Sequence, residues 1–559
     1  MPKLLEQLTT DFSFGMVDSA APTAYPSGSV GLIVNGRSEP DGTVSRRSGT
    51  IKTHPDALEA DTGYGAVLFT TAAGADQLVA IFGAKAYRSL DSGATWTEIA
   101  TGLREDYYSF ATMRVGATNY LFCANGDTTI KRWDGTTWDT VPNAPSGVKY
   151  IAVFNSRLWG AGHSGVIAQG SKISDPTTWT TPDGVLVQAQ THSGDVPTGM
   201  YQIGTHLLVF DRSATSYIDG FGEQTIIVAT GATGFSRSVG CIGHRTVVAV
   251  GDNAVCWLSR RGVEYYTIGG KIELVSKQVQ RFMNRIDWDE VYNNPGRASG
   301  AYDEIRQDYH LALSINGIRN DRVLVLNLRG SIQYQRGGPR SAAAIDRLLS
   351  PDSGDVLFGG GDADGYLTDA VGGSEASADA SGYMSLADAG ESGDPVSEDA
   401  DGYLDTVTND TLPASLFVAP TAGRVGAVYS QGYDGYVRLH YGVASDDMDS
   451  DETGGTAVAL TLRSKPFLYK RPKQRKKARR IHVASIQTSP ATLTVLTVGP
   501  GKTSVEKTVS MPEGGEEQAT RKRASTLLVA DSPQVEIRTE DDVRLSLVGL
   551  SSELMREPT

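Results

Sequence analysis

The sequence predicts an all-β protein: a β-propeller of six or seven blades, an acidic insertion and a C-terminal antiparallel β-sandwich. A turn that ends in Trp recurs about every forty residues, and strand–turn–strand patterns fill the intervals. Glycine is abundant, with 63 in a chain of 559 residues. A repeat of this length with strand-like flanks is typical of propeller blades. A chain this long exceeds what one hydrophobic core supports, so more than one domain is expected.

The first copy of the repeated turn, SLDSGATW at residues 89–96, fits the pattern Ser-x-Asp-x-Gly-x-Thr-Trp, called an Asp box. Shorter copies, DGTTW ending at Trp138 and DPTTW ending at Trp179, follow at intervals of 42 and 41 residues. In such a turn the Asp accepts backbone N–H groups, the Gly takes a conformation that a Cβ disfavours, and the Trp packs between sheets. The pattern therefore predicts a structural Asp-box turn made by Asp91, Gly93, Thr95 and Trp96.

The strand patterns divide the chain into five segments. They are an N-terminal strand and linker segment that contributes to the propeller or to ring contacts (1–60), the propeller (61–370), an acidic Ser/Ala/Gly-rich insertion (371–407), propeller closure or connecting strands (408–463) and the sandwich (464–559). DVLFGGGDADGYLTDA, which ends at Ala370, is interpreted as the last blade.

One segment, KIELVSKQVQRFMNRI at residues 271–286, departs from the strand pattern. It predicts a helix packed on the side of the propeller, because its apolar residues recur at helical spacing. Those core-facing residues are Val275, Val279, Phe282, Met283 and Ile286.

The net charge of −14 is concentrated in one part of the chain. Residues 348–423 contain 15 Asp or Glu and no Lys or Arg, and the remainder is nearly neutral. Cysteines 123, 241 and 256 form no CxxC pair and are expected to be free thiols. No apolar run reaches membrane-spanning length and the N-terminus has no export-signal pattern, so synthesis in a reducing cytoplasm without classical export is expected.

Two charged motifs offer weaker hypotheses. The repeated Asp-x-Asp-Gly turns, with Asp362, Asp364, Asp399 and Asp401, supply the start of a calcium loop but lack its later ligands, so solvated turns are the preferred interpretation. The basic run KRPKQRKKARR, residues 470–480, leads into a strand. We interpret it as a solvated β edge or an acidic-partner surface, with contact to passing DNA as the alternative.

The first sixty residues carry the most specific resemblance to a known family. Their aromatic–Gly start, Pro-rich linker, Asn strand and Asp-Gly turn with an Arg-x-Gly close resemble the opening of tail nozzle proteins of short-tailed bacteriophages, also called tail tubular protein B or packaged-DNA stabilisation proteins. The matching positions are Phe14, Gly15, Asn35, Asp41, Gly42, Arg47 and Gly49. FNSRLWGAGHSG, GYLTDA and TLRSKPF are similar to later parts of that family.

This resemblance implies a structural virion protein, located in the tail, that forms a hexameric ring at the distal end. Such a ring would contact an adaptor or tail tube protein and tail fibres or spikes, retain packaged DNA and conduct it during ejection. The family implies no catalytic residues and no cofactor. The acidic segment departs from the family pattern.

The alternative from the Asp box is a propeller glycosidase or a sugar-binding, lectin-like protein. Sialidases need three arginines on the substrate carboxylate, a Tyr nucleophile and an Asp acid/base. The short Arg-Ile-Pro-like stretch that announces their first arginine is absent from the N-terminal part of this sequence.

Overall fold

The computed structural model describes residues 4–555 except 19–20, 22–23, 60, 164–167, 181, 188–195, 220–226, 231–237, 252, 316–318, 329–341, 347–356, 359–403, 406–412, 422–423, 441–457, 470–473, 488, 501 and 513–519. Nearly all of its regular structure is β-strand. The short helical elements are the 3₁₀ turns His244–Thr246 and Val275–Val279 and the helices α1 (Gln280–Met283) and α2 (Trp288–Asn293). In the described part of the chain, no helix has the length and apolar character needed to cross a membrane.

Six short strands precede the propeller. They are β1 (Leu5–Thr9), β2 (Gly15–Met16), β3 (Ser29–Val34), β4 (Gly36–Ser38), β5 (Val44–Arg46) and β6 (Thr50–Lys52).

Six blades of four antiparallel strands follow along the chain. Blade 1 contains β7 (Gly63–Thr70), β8 (Asp76–Phe82), β9 (Lys85–Ser89) and β10 (Thr97–Ala100), and blade 2 contains β11 (Ser109–Val115), β12 (Thr118–Ala124), β13 (Lys131–Trp133) and β14 (Trp138–Thr140). Blade 3 contains β15 (Tyr150–Phe154), β16 (Arg157–Ala161), β17 (Ala168–Gly170) and β18 (Val185–Val187), and blade 4 contains β19 (Gly199–Ile203), β20 (His206–Phe210), β21 (Thr215–Asp219) and β22 (Ile227–Thr230). Blade 5 contains β23 (Val248–Val250), β24 (Ala254–Ser259), β25 (Gly262–Thr267) and β26 (Glu273–Leu274), and blade 6 contains β27 (Ser299–Asp303), β28 (Asp308–Leu313), β29 (Arg322–Asn327) and β30 (Ala342–Asp346).

The seventh blade combines the two ends of the propeller segment. Three of its strands are β33 (Pro413–Thr421), β34 (Arg424–Gly432) and β35 (Val437–His440). They follow a separate two-residue ladder between β31 (Leu357–Phe358) and β32 (Leu404–Asp405). Its fourth strand is the N-terminal β6, in which Ile51 pairs with Leu439. The inner strand β33 contacts both β7 of blade 1 and β27 of blade 6, which closes the ring. The described strands therefore form a seven-bladed propeller.

Neighbouring blades pack against each other through apolar clusters between their sheets. Between blades 1 and 2, for example, Phe69 and Ile81 pack with Leu121 and Cys123. The middle strands are short apolar runs, such as LVAIF at the end of β8, because each blade is covered on both faces. All three cysteines are buried free thiols, as the sequence predicts.

The remaining strands form two sheets of a sandwich. They are β36 (Leu460–Ser464), β37 (Lys476–Ile486), β38 (Ala491–Gly499), β39 (Lys502–Thr503), β40 (Lys507–Met511), β41 (Thr520–Ala530), β42 (Gln534–Thr539) and β43 (Arg544–Leu554). One sheet has the order β4-β5-β43-β37-β41, with β1 also paired to β43. The other contains β3-β36-β42-β38, with β2 beside β3 and with β39 and β40 beside β38.

The sandwich and the propeller are continuous. Strand β3 pairs with β30, so the second sandwich sheet extends blade 6. One apolar cluster includes Leu258 of blade 5, Leu311 of blade 6 and Ile537 and Leu550 of the sandwich. Within the N-terminal segment 1–60, β6 joins the propeller whereas β1 to β5 join the sandwich, an association that the sequence pattern does not reveal.

Two local predictions require correction. The segment 271–286 is not one helix: it is β26, a 3₁₀ turn and the four-residue α1. The Asp18 carboxylate accepts the backbone N–H of Arg281 at 3.1 Å and also that of Phe282, which fixes the start of α1. The five apolar residues of the segment 271–286 are nevertheless buried in the core, as expected.

The other correction concerns the last blade and the basic run. Most of the segment 355–370, predicted to be the last blade, lies outside the described residues. Its described residues 357–358 pair with 404–405, and the seventh blade of the described strands is closed by β6. The basic run leads into β37, which is an interior strand between β43 and β41 rather than an edge. Lys476 is buried there and donates to the backbone oxygen of Asp531, and burial lowers the pKa of its amino group.

Candidate functional site

The Asp box lies in the turn between the two outer strands of blade 1. Oδ1 of Asp91 accepts the backbone N–H of Thr95 at 2.8 Å, and Oδ2 accepts the Thr95 hydroxyl at 2.6 Å. Gly93 has a φ of 98°, and Trp96 Nε1 donates to its carbonyl at 2.8 Å. Trp96 is half-buried and packs at the junction of blades 7 and 1. All four residues thus serve the turn and its packing.

The two shorter copies occupy the equivalent turns of blades 2 and 3. Oδ1 of Asp134 accepts the backbone N–H groups of Thr136 and Thr137, both at 2.7 Å. Asp175 accepts the N–H of Thr177 at 2.9 Å, and Trp179 is buried. Burial alone would raise the pKa of Asp91 and Asp134, but the hydrogen bonds of each turn outweigh it and hold both pKa values below the ordinary range. The repeat found in the sequence is therefore a repeat in space.

The candidate calcium ligands Asp362, Asp364, Asp399 and Asp401 lie outside the described residues. Within the described ranges, no group of three or more His, Cys, Asp or Glu side chains is arranged to hold a metal ion.

The residues that carry the N-terminal resemblance lie where the sandwich meets the start of the propeller. Asn35 and Arg47 are buried and hydrogen-bonded to each other, with Arg47 Nε donating to Asn35 Oδ1 at 3.2 Å. Gly42 has a φ of 83°, and a Cβ there would come within 3.0 Å of the Asp11 carboxylate. The carbonyl of Gly42 accepts the backbone N–H of Phe12 at 2.9 Å. Asn35 and Arg47 therefore form one buried joint, and Gly42 makes a separate close contact with the chain at residues 11–12.

The beginnings of several blades surround a polar cavity that the sequence motifs do not mark. A cavity of about 380 Å³ is lined mainly by inner-strand residues of blades 1 to 4, among them Ser109 and Ile151, and by His244 in the 3₁₀ turn before blade 5. Ser109 Oγ accepts the backbone N–H of Ile151 at 3.1 Å and lies 2.8 Å from His244 Nε2. This contact joins blades 2 and 3 to the turn that leads into blade 5.

The Ser109–His244 pair lacks the third member of a hydrolytic triad among the described residues. His244 Nδ1 is shielded from solvent and has no hydrogen-bond partner in the described part of the chain. Burial and the nearby Arg245 charge lower the pKa of His244 to about 4, so the ring is neutral near pH 7. A base of this kind normally has a carboxylate at Nδ1 that orients the ring and stabilises its cation. The geometry here supports bridging between blades.

A second, smaller cavity of about 190 Å³ shares Tyr108, Ser109, His244 and Arg245 with the first. It is bounded by the loop at residues 293–296 and by Lys149 and Tyr150. The sequence does not mark the residues of these two cavities, because they come from the beginnings of several blades and share no motif.

No protein-family model and no curated protein matches the sequence. Among solved structures, the chain is similar to the WD40 repeats of RRP9, with a TM-score of 0.38 and 9% identity, covering 71% of this chain and 99% of that chain. It is also similar to the N-terminal domain of Nup159, with a TM-score of 0.36 and 10% identity, covering 74% and 99%. The propeller assignment rests on the seven described sheets rather than on these similarities.

Proposed function

We propose that the chain is a structural, non-enzymatic virion protein: a tail nozzle subunit that forms a hexameric ring at the distal end of a phage tail. In this role it retains packaged DNA and conducts it during ejection. The observation that carries the proposal is the buried Asn35–Arg47 joint, because both residues belong to the N-terminal motif that resembles nozzle proteins. That motif therefore contributes buried contacts that connect the chain just before β6 with the chain just before β36.

The charge distribution supports a ring. A closed ring of identical subunits needs heterologous contacts, in which two different surfaces of the chain meet. Strand β41 presents Arg521, Lys522 and Arg523 at a sheet edge, with all three side chains exposed and Arg521 bound to Glu6 at 2.8 Å. The acidic segment 348–423 supplies the opposite charge. We propose that β41 of one subunit faces the acidic segment of the next.

The test is incorporation into particles. Virions assembled with Arg521, Lys522 and Arg523 all changed to Glu should be depleted of the chain, as measured by mass spectrometry of purified particles. The control changes three exposed basic residues outside β41 to Glu, namely Arg114 in β11, Lys271 in the loop before β26 and Lys507 in β40, and it should be incorporated normally.

Two outcomes separate the contact from the function. Normal incorporation of the β41 variant contradicts the proposed contact alone. Absence of the wild-type chain from purified virions contradicts the nozzle function. Hydrolysis of a fluorogenic sialoside at enzyme-like rates would instead support the glycosidase alternative.

A further inference from the structure

The smaller cavity, here called the Arg245 cavity, is shaped for a small ligand. It holds about 190 Å³ and is lined by residues that include Tyr107, Asn125, Lys149, Tyr150 and Arg245. This volume is below that of pockets for drug-sized molecules, which start at roughly 300 Å³. Its lining combines aromatic rings with amide and cationic groups, a composition that favours a compact polar molecule.

Arg245 brings a positive charge into this cavity without a carboxylate to balance it. Its Nη1 donates to the carbonyl of Gly296 at 2.9 Å, and its guanidinium lies over the Tyr107 ring, 4.8 Å from the centroid. No carboxylate of a described residue lies within ion-pair distance of it. Burial lowers its pKa to about 10, so the group remains charged at neutral pH. A partly buried charge of this kind gains free energy from an anionic partner.

The other charged groups of the cavity leave it positive. Lys149 is exposed and forms no ion pair with a described residue. Asp106 is the one acidic residue in the lining, and its carboxylate contacts Arg104 at 3.4 Å and the Tyr107 backbone N–H at 2.8 Å. His244 is neutral near pH 7 because its pKa is about 4.

The position of Arg245 is fixed before any ligand binds. A Cβ at Gly296 would lie 2.6 Å from Tyr107 Cβ, so only glycine lets the loop approach the Tyr107 ring this closely. That approach holds the Gly296 carbonyl against Arg245 Nη1. Because the guanidinium is held by a carbonyl and a ring, its remaining N–H groups are pre-oriented for a planar or tetrahedral oxyanion.

We propose that the Arg245 cavity binds a small molecule bearing a carboxylate or phosphate group. Arg245 binds the oxyanion, and Lys149 adds a second, solvent-screened attraction. The tyrosine rings and Asn125 surround the rest of the ligand. This site is separate from the ring contact proposed for β41, so either proposal can fail alone.

Isothermal titration calorimetry of the full chain tests this with inorganic phosphate, D-glucuronate and neutral D-glucose. The wild type should bind phosphate or glucuronate, and the preferred anion identifies the group. Glucose should not bind. Arg245→Gln should weaken anion binding about 10- to 100-fold, because a hydrogen-bonded charge is lost. Lys149→Gln should weaken it about threefold, as expected for an exposed charge.

Arg88→Gln is the matched control. Arg88 also donates to a backbone carbonyl, that of Gly135 at 2.9 Å, and lies over a Trp133 ring, but it does not line the cavity. The Arg88→Gln variant should bind anions with the affinity of the wild type. Absence of binding to both anions at millimolar concentrations overturns the proposal, as does unchanged affinity in Arg245→Gln. Should that variant fail to fold, unchanged affinity in Lys149→Gln overturns it.

Discussion

Arg47 Nε donates a hydrogen bond to Asn35 Oδ1 across 3.2 Å, and both side chains are buried. The Arg47 backbone N–H also donates to the Asn35 carbonyl, and Asn35 Nδ2 donates to the carbonyl of Ala459. Asn35 therefore links the chain just before blade 7's strand β6 to the chain just before β36. Its φ of 51° suits Asn and Gly better than most residues.

Breaking this joint should destabilise the whole protein. Arg47→Met should lower the free energy of unfolding by about 2–3 kcal/mol, since it removes a charged donor and leaves Asn35 Oδ1 with one partner fewer. Asn35→Gly keeps the backbone conformation accessible and removes only the side-chain bonds. The two changes should show a coupling of about 1 kcal/mol in a double-mutant cycle measured by denaturant unfolding. Additive effects, like those expected of Arg47→Met with the distant Asp134→Ala, would contradict the link.

The Asp box should be a stability element. Asp91→Ala should cost about 1–2 kcal/mol, because two hydrogen bonds to Thr95 are lost. Trp96→Ala should cost less than the roughly 3–5 kcal/mol of a fully buried aromatic residue, because Trp96 is half-buried. Thermal unfolding measures both. A Trp96→Ala variant as stable as the wild type would show that its ring packing is not needed.

Stability at low pH should depend on the three turn carboxylates. The pKa values of Asp91, Asp134 and Asp175 lie below the ordinary value of 3.8 in the folded protein. These groups therefore stabilise the fold above about pH 4, and that contribution is lost as pH falls through their folded-state values. The variant with Asn at all three positions should lose less stability than the wild type between about pH 5 and about pH 3. This range is chosen because an Asp in an unfolded chain titrates at about pH 4. Equal slopes for the two proteins would rule out this contribution.

Deletion of residues 371–407 should leave the propeller folded. All seven blades and both sandwich sheets are built from strands outside that range, and among the described strands the deletion removes the two-residue β32. The melting temperature should change little, and calcium should not raise that of the wild type. Collapse on deletion would mean that the segment is structural, and a rise of several degrees with calcium would indicate a metal site.

The local features of the fold were predictable from the sequence, and the long-range ones were not. The Asp boxes at Asp91 and Asp134 involve contacts over three or four residues, so a short pattern encodes them. The pairing of Glu6 with Ser551 joins strands more than five hundred residues apart, and no local pattern specifies it. The pairing of Ile51 with Leu439, which completes the seventh blade, could not be predicted for the same reason.

The helix predicted for residues 271–286 was wrong and the cavity residues were not predicted, for two different reasons. Helical spacing describes which residues are buried, but the backbone at Val279 has φ −114° and ψ 34°, which ends a helix before α1 begins. The two cavities depend on Ser109, His244 and Arg245 lying close together across blades, and each alone is an ordinary polar residue. Their positions depend on the ring geometry, which the strand patterns do not specify.

Cryo-electron microscopy of virions carrying a label on the C-terminal sandwich tests the nozzle proposal most directly. The expected result is six labelled copies in a ring at the distal end of the tail. Label on the capsid shell, an isolated receptor-binding trimer, or no label on the particle would contradict it.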